Sequence, residues 1–461
     1  MLETDYLIIG TGALGMGFAD QLLTDTEASL LLVDKHHMPG GHWNDAYSFV
    51  RLHQPSAFYG VGSRELGSNR IDATGINAGF YELASGPEVQ SYFDRLMRER
   101  FLPSGRVRYF PLCEYNGESS FTSLLSGQTQ VVKVNKRIVD ATYFNTSVPS
   151  TRPPQYAVDE GVTLITPNAL PRHVGGHTRY TVIGGGKTGM DVCVWLLLNG
   201  APPESLRWIA PRDSWLINRE TTQPGDLFYS RFLGAKAAQL EASANAKTID
   251  NLFEMLEESR QLLRLDRSIK PQMYHGATIA PAEIELLATI PDIVRLGRVR
   301  AIGRDRIDLD NGCVQASADD LYIDCTASAI ARRPNRPVFE GSTITLQMIR
   351  AGLFSFSAAV IGHVEASYGS DAEKNHLCLP MQAPDEAADW LRLMLAENEI
   401  LARWGADKSL RHWIAGHRLA GASLRDPAAP EEPEIAGIRA RIRTAGGAAA
   451  NNLQALLASL D

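Results

Sequence analysis

Two stretches of the chain repeat one pattern of apolar and polar positions. Each is a short apolar run, then a glycine-rich turn, then apolar residues at helical spacing. In the first, Asp5 to Gly15 reads DYLIIGTGALG. Tyr6 to Ile9 predicts a buried strand, and Phe18, Leu22 and Leu23 continue the pattern as one face of a helix. A further apolar run, Ser29 to Val33, predicts the next strand and ends in Asp34. In the second, Tyr180 to Asp191 reads YTVIGGGKTGMD and continues as MDVCVWLLL, followed by a strand-like run from Leu206 to Ala210. Between 231 and 265 the spacing is helical. Ile249, Leu252, Phe253 and Leu256 predict a helix over 249–265 that covers a cleft or packs on a neighbouring domain. FSFSAAVIGHVEASY, 354–368, reads as a strand turning into a helix, with His363 and Glu365 facing either a site or the core. Residues 426–435 form a Pro/Glu-rich linker, and the tail after Ala436 reads as a helix that packs on the domain or on a second subunit.

The spacing within the two repeats carries chemistry. In Gly10-x-Gly12-x-x-Gly15 the first glycine permits a tight turn. The second admits a pyrophosphate to the backbone, and the third lets helix and strand pack closely. The helix that follows offers free N–H groups and a positive dipole end to phosphates. Asp34 stands where a carboxylate accepts hydrogen bonds from a ribose diol. The second set is Gly184, Gly186 and Gly189. Its strand ends in Pro211-Arg212-Asp213, so Arg212, helped by Lys187 in the glycine turn, is expected to hold a 2′-phosphate. That favours NADP(H), with NAD(H) as the alternative because Asp213 is adjacent. Two such folds point to two dinucleotides, most simply FAD and NAD(P)H.

The expected fold class is α/β, with two Rossmann-like dinucleotide-binding domains and the NAD(P) domain inserted into a discontinuous FAD domain. The FAD domain would comprise 1–165 and 320–425, and the NAD(P) domain 166–319 with the helical insertion at about 231–265. Residues 426–461 would form the C-terminal linker and tail.

Bulk properties narrow the classes. A chain of 461 residues exceeds one small core. A net charge of −8 and a pI near 5.8 argue against a nucleic-acid partner. The basic run 295–306 is followed at once by Asp308 and Asp310 and reads as a solvated strand pair. The N-terminus lacks a basic region before its apolar run, and Val192 to Leu198 is far short of a bilayer span. A cytoplasmic protein without a membrane partner is the expectation. The five cysteines lie at neither CxxC nor CxxxxC spacing, which disfavours a disulfide framework, structural zinc and a redox dithiol. His36, His37, His42 and His53 crowd one span, but Asp34 is accounted for by ribose, and no metal site is expected.

With these residues in view, the chain resembles the FAD- and NAD(P)H-dependent flavoprotein monooxygenases: the flavin-containing, N-hydroxylating and Baeyer–Villiger enzymes. The marks are Gly10-Gly12-Gly15 with Asp34, then Gly40-Gly41-His42-Trp43, then Gly184-Gly186-Gly189. The last is Ile323-Asp324-Cys325-Thr326-Ala327-Ser328, similar to the family's Asp-x-x-x-Ala-Thr-Gly element; Val139-Asp140-Ala141-Thr142 looks like a first copy. The family's Phe-x-Gly-x-x-x-His fingerprint is absent from 165–180. The resemblance implies that Gly41 and Trp43 lie against FAD and that Asp324 marks the return to the FAD domain. It implies that Arg51, His53 and Gln54, which follow the Gly-Gly-x-Trp segment, stay near the isoalloxazine. It implies a single-component monooxygenase in which flavin peroxide, formed at C4a, passes one oxygen atom of dioxygen to a small organic substrate. A flavoprotein NAD(P)H dehydrogenase or reductase, without a stable peroxyflavin, is the alternative. A homo-oligomer is compatible with either.

Overall fold

The computed structural model describes residues 2–144, 146–317, 319–327, 330–421 and 432–460. Ser328 and most of the expected linker lie outside the described residues. In chain order the elements that build the site are β1 (Leu2–Ile9), α1 (Ala13–Asp25), β2 (Leu30–Val33), β3 (Val107–Phe110), β4 (Thr129–Asp140), β5 (Thr163–Ile165) and β6 (Tyr180–Ile183). There follow α2 (Lys187–Leu198), β7 (Leu206–Ile209), α3 (Asp226–Asn245), α4 (Ile249–Glu258), β8 (Asp292–Val294), β9 (Leu321–Asp324) and β10 (Thr343–Thr345). Helices α5 (Phe354–Ser367), α6 (Ala387–Ala406) and α7 (Pro433–Ala458) complete the set.

The first sheet runs β10–β4–β1–β2–β3, with these neighbours parallel. Leu7, Ile8, Leu30, Leu31 and Leu32 are fully buried, because a parallel sheet is covered on both faces. Each such side chain contributes roughly 1.5–3 kcal/mol by leaving water. Helix α1 packs on α5, and glycine sets how closely: a Cβ on Gly362 would meet Gln21 Cβ at 2.9 Å and the Phe18 carbonyl at 3.2 Å. The second sheet runs β8–β7–β6–β9–β5, again all parallel, and β6, β7 and β9 are buried along their whole length. Because β10 returns to the first sheet after the second is complete, the second fold is inserted into the first. The strands of the second sheet run from Thr163 to Asp324. The run 295–306 contributes to an antiparallel strand pair, with Arg300 on Asp310 at 2.5 Å.

Two expectations for the later chain change, and for the tail one of the two expected packings is found. The helix over 249–265 stops at Glu258. Arg260 takes a left-handed conformation (φ 57°), and Leu262–Leu263 then pairs with the strand Ser214–Asn218. The segment 354–368 is helical from its first residue, since Ser355, Ser357, Ala358 and Ala359 are small enough to lie against neighbouring elements as a helix face. The tail forms a long helix, α7, folded back on α3 of the same chain. Arg441 clasps Glu241 through two bonds of 2.7 Å, and Asn452 Nδ2 donates to the carbonyls of Ser243 and Ala246. Among the described residues no helix is long and apolar enough to cross a membrane.

Candidate functional site

The two glycine turns are built alike. A Cβ on Gly15 would lie 2.0 Å from the Gly10 carbonyl oxygen, and one on Gly189 would lie 2.1 Å from that of Gly184. Gly10 and Gly184 both adopt positive φ, 96° and 132°. Each turn is backed by the strand next in the sheet. Ile9 pairs with Asp140 and Ile183 with Asp324, and each aspartate accepts bonds from the amide and hydroxyl of the threonine two residues on. Asp324 is therefore a turn-forming residue behind the second glycine turn. It ends a strand of the second sheet, after which the chain returns to the first sheet; its carboxylate is buried and used internally.

Both helices that follow begin without a side-chain cap, at Gly12 and Gly186, so their first N–H groups have no side-chain partner at the terminus. At the first turn, Gly40 N–H donates to the Thr11 carbonyl at 2.9 Å, and a Cβ on Gly41 would strike Gly12 Cα at 2.8 Å. The Gly-Gly segment thus lies on the glycine turn itself, and any side chain there would fill the cradle. Trp43 is buried beyond it; its Nε1–H donates to the Tyr59 hydroxyl at 2.7 Å, and its ring stacks on His42. Trp43, Asn44, Ser48, Gln90 and Asn168 help line a cavity of about 280 Å³, and the Asn44 side-chain oxygen is buried without a partner among the described residues. A backbone cradle, an uncapped helix start and an orphaned amide oxygen beside a cavity fit a dinucleotide with a polar ring system.

Asp34 lies at the end of β2 as expected, but its oxygens are already engaged. Oδ2 accepts from Thr11 N–H at 2.5 Å and Thr11 Oγ1 at 2.8 Å, while Oδ1 accepts from His36 N–H at 2.9 Å and meets His36 Nδ1 at 2.7 Å. His36 Nε2 faces Asp45 at 3.0 Å. Asp34, and then Asp45, hold the His36 imidazole above its ordinary pKa. Burial alone would raise the Asp34 carboxyl, yet the bonds from His36 and Thr11 outweigh it and keep it below the usual range. A ribose diol at this carboxylate would exchange with Thr11 or His36.

At the second turn Lys187 does not extend toward a 2′-phosphate. Its ammonium is held by Asp191 and by Glu283, the latter at 3.2 Å, and Glu283 also binds Arg219 at 2.7 Å. Arg219 and Glu283 are nearly sealed from solvent, at 2% and 5% exposure of their side chains, so the Lys187 charge is spent on internal neutrality. Burial resists ionisation of Glu283, but Lys187 and Arg219 bring its carboxyl down to about 2. The cluster reaches into the first fold. Tyr47 O–H donates to Asp191 at 2.7 Å, and Arg219 Nε–H donates to the His53 carbonyl at 3.0 Å. Arg212 does leave β7 beside the glycine turn, but it is paired with Asp385 at 2.7 and 3.3 Å, and His275 Nε2 meets the same carboxylate at 2.8 Å. Arg212 holds the Asp385 carboxyl well below the usual range. Asp213 is occupied by Arg295 at 2.7 and 3.1 Å.

The three residues after the Gly-Gly-x-Trp segment diverge. Arg51 is exposed and donates to the Leu83 carbonyl at 3.0 Å. His53 turns toward the second fold, 3.9 Å from Asp191; a third of its side chain meets solvent, yet the crowding around it and then the Lys187 charge push its imidazole down to about 4. Gln54 lies beside Gly352, just before α5 starts. His363 and Glu365 are structural. His363 binds Asp25 and stacks on Trp413, and Glu365 is buried against Tyr6 and Lys374. Arg219 and Glu283 escaped sequence reasoning. Only the i,i+4 pair Lys187–Asp191 gave a signal of the cluster they belong to.

No family model matches the chain. It is 47% identical, over its whole length and 86% of theirs, to uncharacterized proteins of Mycobacterium tuberculosis and Mycobacterium bovis. Among solved structures, the polycyclic ketone monooxygenase of the fungus Thermothelomyces thermophila superposes with a TM-score of 0.51 at 11% identity, covering 97% of this chain and 88% of that one. The chain belongs to the family of these mycobacterial proteins and shares its fold with the fungal monooxygenase.

Proposed function

We propose that this protein is a flavin-dependent oxidoreductase that binds FAD at the first glycine turn and NADPH at the second. In this reading it is a single-component monooxygenase acting with dioxygen on a small organic substrate. One observation carries it: the segment 47–54 leaves the first turn and is tied to the second fold twice, at the start of α2 through Tyr47–Asp191 and at the turn after the strand Ser214–Asn218 through Arg219–His53, so the two nucleotide sites share one junction. FAD would supply hydride acceptance and the reaction with oxygen. The chain's part is to hold and orient. Gly12, Gly41 and the start of α1 would take the pyrophosphate, and Gly186 with the start of α2 the second pyrophosphate. His53, kept neutral at pH 7, could accept or donate a hydrogen bond to a ligand at the junction without adding charge. The balanced set Lys187, Arg219, Asp191 and Glu283 stiffens the boundary without net field.

The test follows NADPH, oxygen and peroxide together in the purified, FAD-loaded protein with a panel of amines, sulfides and ketones. Oxygenated product in step with NADPH supports the monooxygenase. Hydrogen peroxide equal to NADPH under every substrate would instead identify a dehydrogenase or reductase.

A further inference from the structure

Arg212 sits where an open α/β fold receives the adenosine ribose of a dinucleotide. A Cβ on Gly185, inside the second glycine turn, would lie 3.1 Å from the Arg212 carbonyl oxygen. Its guanidinium meets a carboxylate from a distant part of the chain. Asp385, in the segment leading into α6, accepts from Arg212 Nη2 at 2.7 Å and Nη1 at 3.3 Å. His275, on the strand Met273–Ile279, brings its Nε2 to 2.8 Å from the same Asp385 oxygen. The side chains of Arg212, Asp385 and His275 are 31%, 32% and 45% exposed, so solvent and solutes reach all three. The backbone of Asp385 is held as well. Its N–H donates to Asp389 at 2.9 Å and its carbonyl accepts the Tyr274 N–H at 2.8 Å. Asp213, the acid next to Arg212 in sequence, is committed to Arg295 and does not compete.

Two nitrogen donors therefore converge on one acidic group at the rim of the second nucleotide site. A guanidinium presents parallel N–H groups that suit carboxylate and phosphate oxygens alike. We infer that Asp385 is a built-in competitor for the 2′-phosphate expected at Arg212, one that the phosphate must displace, and that His275 then joins Arg212 in holding it. The inference rests on reading the second fold as an NADPH site. It explains how one chain carries an arginine at the selecting position and still keeps it paired: the carboxylate lowers affinity for the phosphorylated dinucleotide and leaves NADH untouched. It also ties nucleotide binding to the segment before α6, because the displaced carboxylate is the side-chain link between that segment and Arg212.

Titration calorimetry on the full-length, FAD-loaded protein with NADP⁺ and NAD⁺ tests this. Asp385→Asn keeps the shape and removes the charge. It should tighten NADP⁺ by about tenfold, as loss of one charged competitor warrants, and change NAD⁺ by no more than about twofold. Arg212→Ala should weaken NADP⁺ and erase the gain when combined with Asp385→Asn. His275→Ala, which leaves the Arg212–Asp385 pair in place, should weaken NADP⁺ severalfold and spare NAD⁺. If Asp385→Asn binds NADP⁺ no tighter than the parent while both dinucleotides still bind, the competitor role is wrong and the nucleotide site stands. If neither dinucleotide binds the parent or the variants, the reading of the second fold fails and takes the inference with it.

Discussion

The first and second glycine turns share a backbone and differ in what closes them. Both have glycine packed against glycine, an uncapped helix start and an aspartate–threonine turn behind. At the first, the acid that ends β2 is turned inward. Asp34 ties Thr11 to His36 and, through it, to Asp45 just beyond Trp43, so turn and Gly-Gly segment form one unit. At the second, the charges turn outward to other parts of the chain: Lys187 to Glu283, Arg212 to Asp385. The first site is closed on itself, whereas the second is wired across the junction. The residue type at a strand end thus says which ligand could bind, while its neighbours decide whether it is free to do so.

Substitutions can separate the two turns, and the glycines should respond most. Gly15→Ala and Gly189→Ala each drive a Cβ to about 2 Å from a backbone carbonyl, and backbone cannot yield cheaply. Each should cost about 3 kcal/mol or more in chemical denaturation. If the turns are independent, Gly189→Ala should leave flavin content unchanged while Gly15→Ala abolishes it. Equal flavin loss would mean that the two turns fold as one.

Next comes the junction. Glu283→Ala leaves Lys187 and Arg219 buried with one carboxylate between them, and should destabilise by about 3–5 kcal/mol. Glu283→Gln should cost less, because the amide still accepts a bond. A thermal shift of the same size for both would point to packing rather than charge. Tyr47→Phe removes a single bond to Asp191 and should cost about 1 kcal/mol in stability, with a larger effect on NADPH binding than on flavin retention.

The weakest effect lies at His36 and carries a sign. Its folded pKa is raised above the unfolded value near 6.5. Its contribution is therefore full below about pH 6.5 and is lost as pH rises through the folded pKa. The gap in unfolding free energy between the parent and His36→Gln, measured by urea denaturation, should be widest near about pH 5.5 and shrink steadily toward about pH 9. A gap that grows with pH would contradict the Asp34–His36–Asp45 chain.

Much of the fold was legible because glycines with no steric alternative sit at fixed spacing between apolar runs. Gly10, Gly15, Gly184 and Gly189 announce their contacts without help from distant sequence. The site was legible only in part. Arg212 read as a free cation because its partner Asp385 lies far along the chain and belongs to no motif; Lys187 has a local partner in Asp191, but Glu283, which completes its pairing, is just as distant. Arg219 and Glu283 were invisible for the same reason. The start of the helix at 354–368 has no local signal, because its small residues answer to packing on α1.

If the two turns hold two redox partners at one junction, electrons must pass from one to the other within a single chain. Anaerobic titration of the FAD-loaded protein with NADPH, followed by the flavin's visible absorbance, reads this transfer. The expected result is stoichiometric retention of flavin and full bleaching by one equivalent of NADPH, faster than by NADH. Flavin that is retained but stays oxidised under excess NADPH and NADH would contradict it.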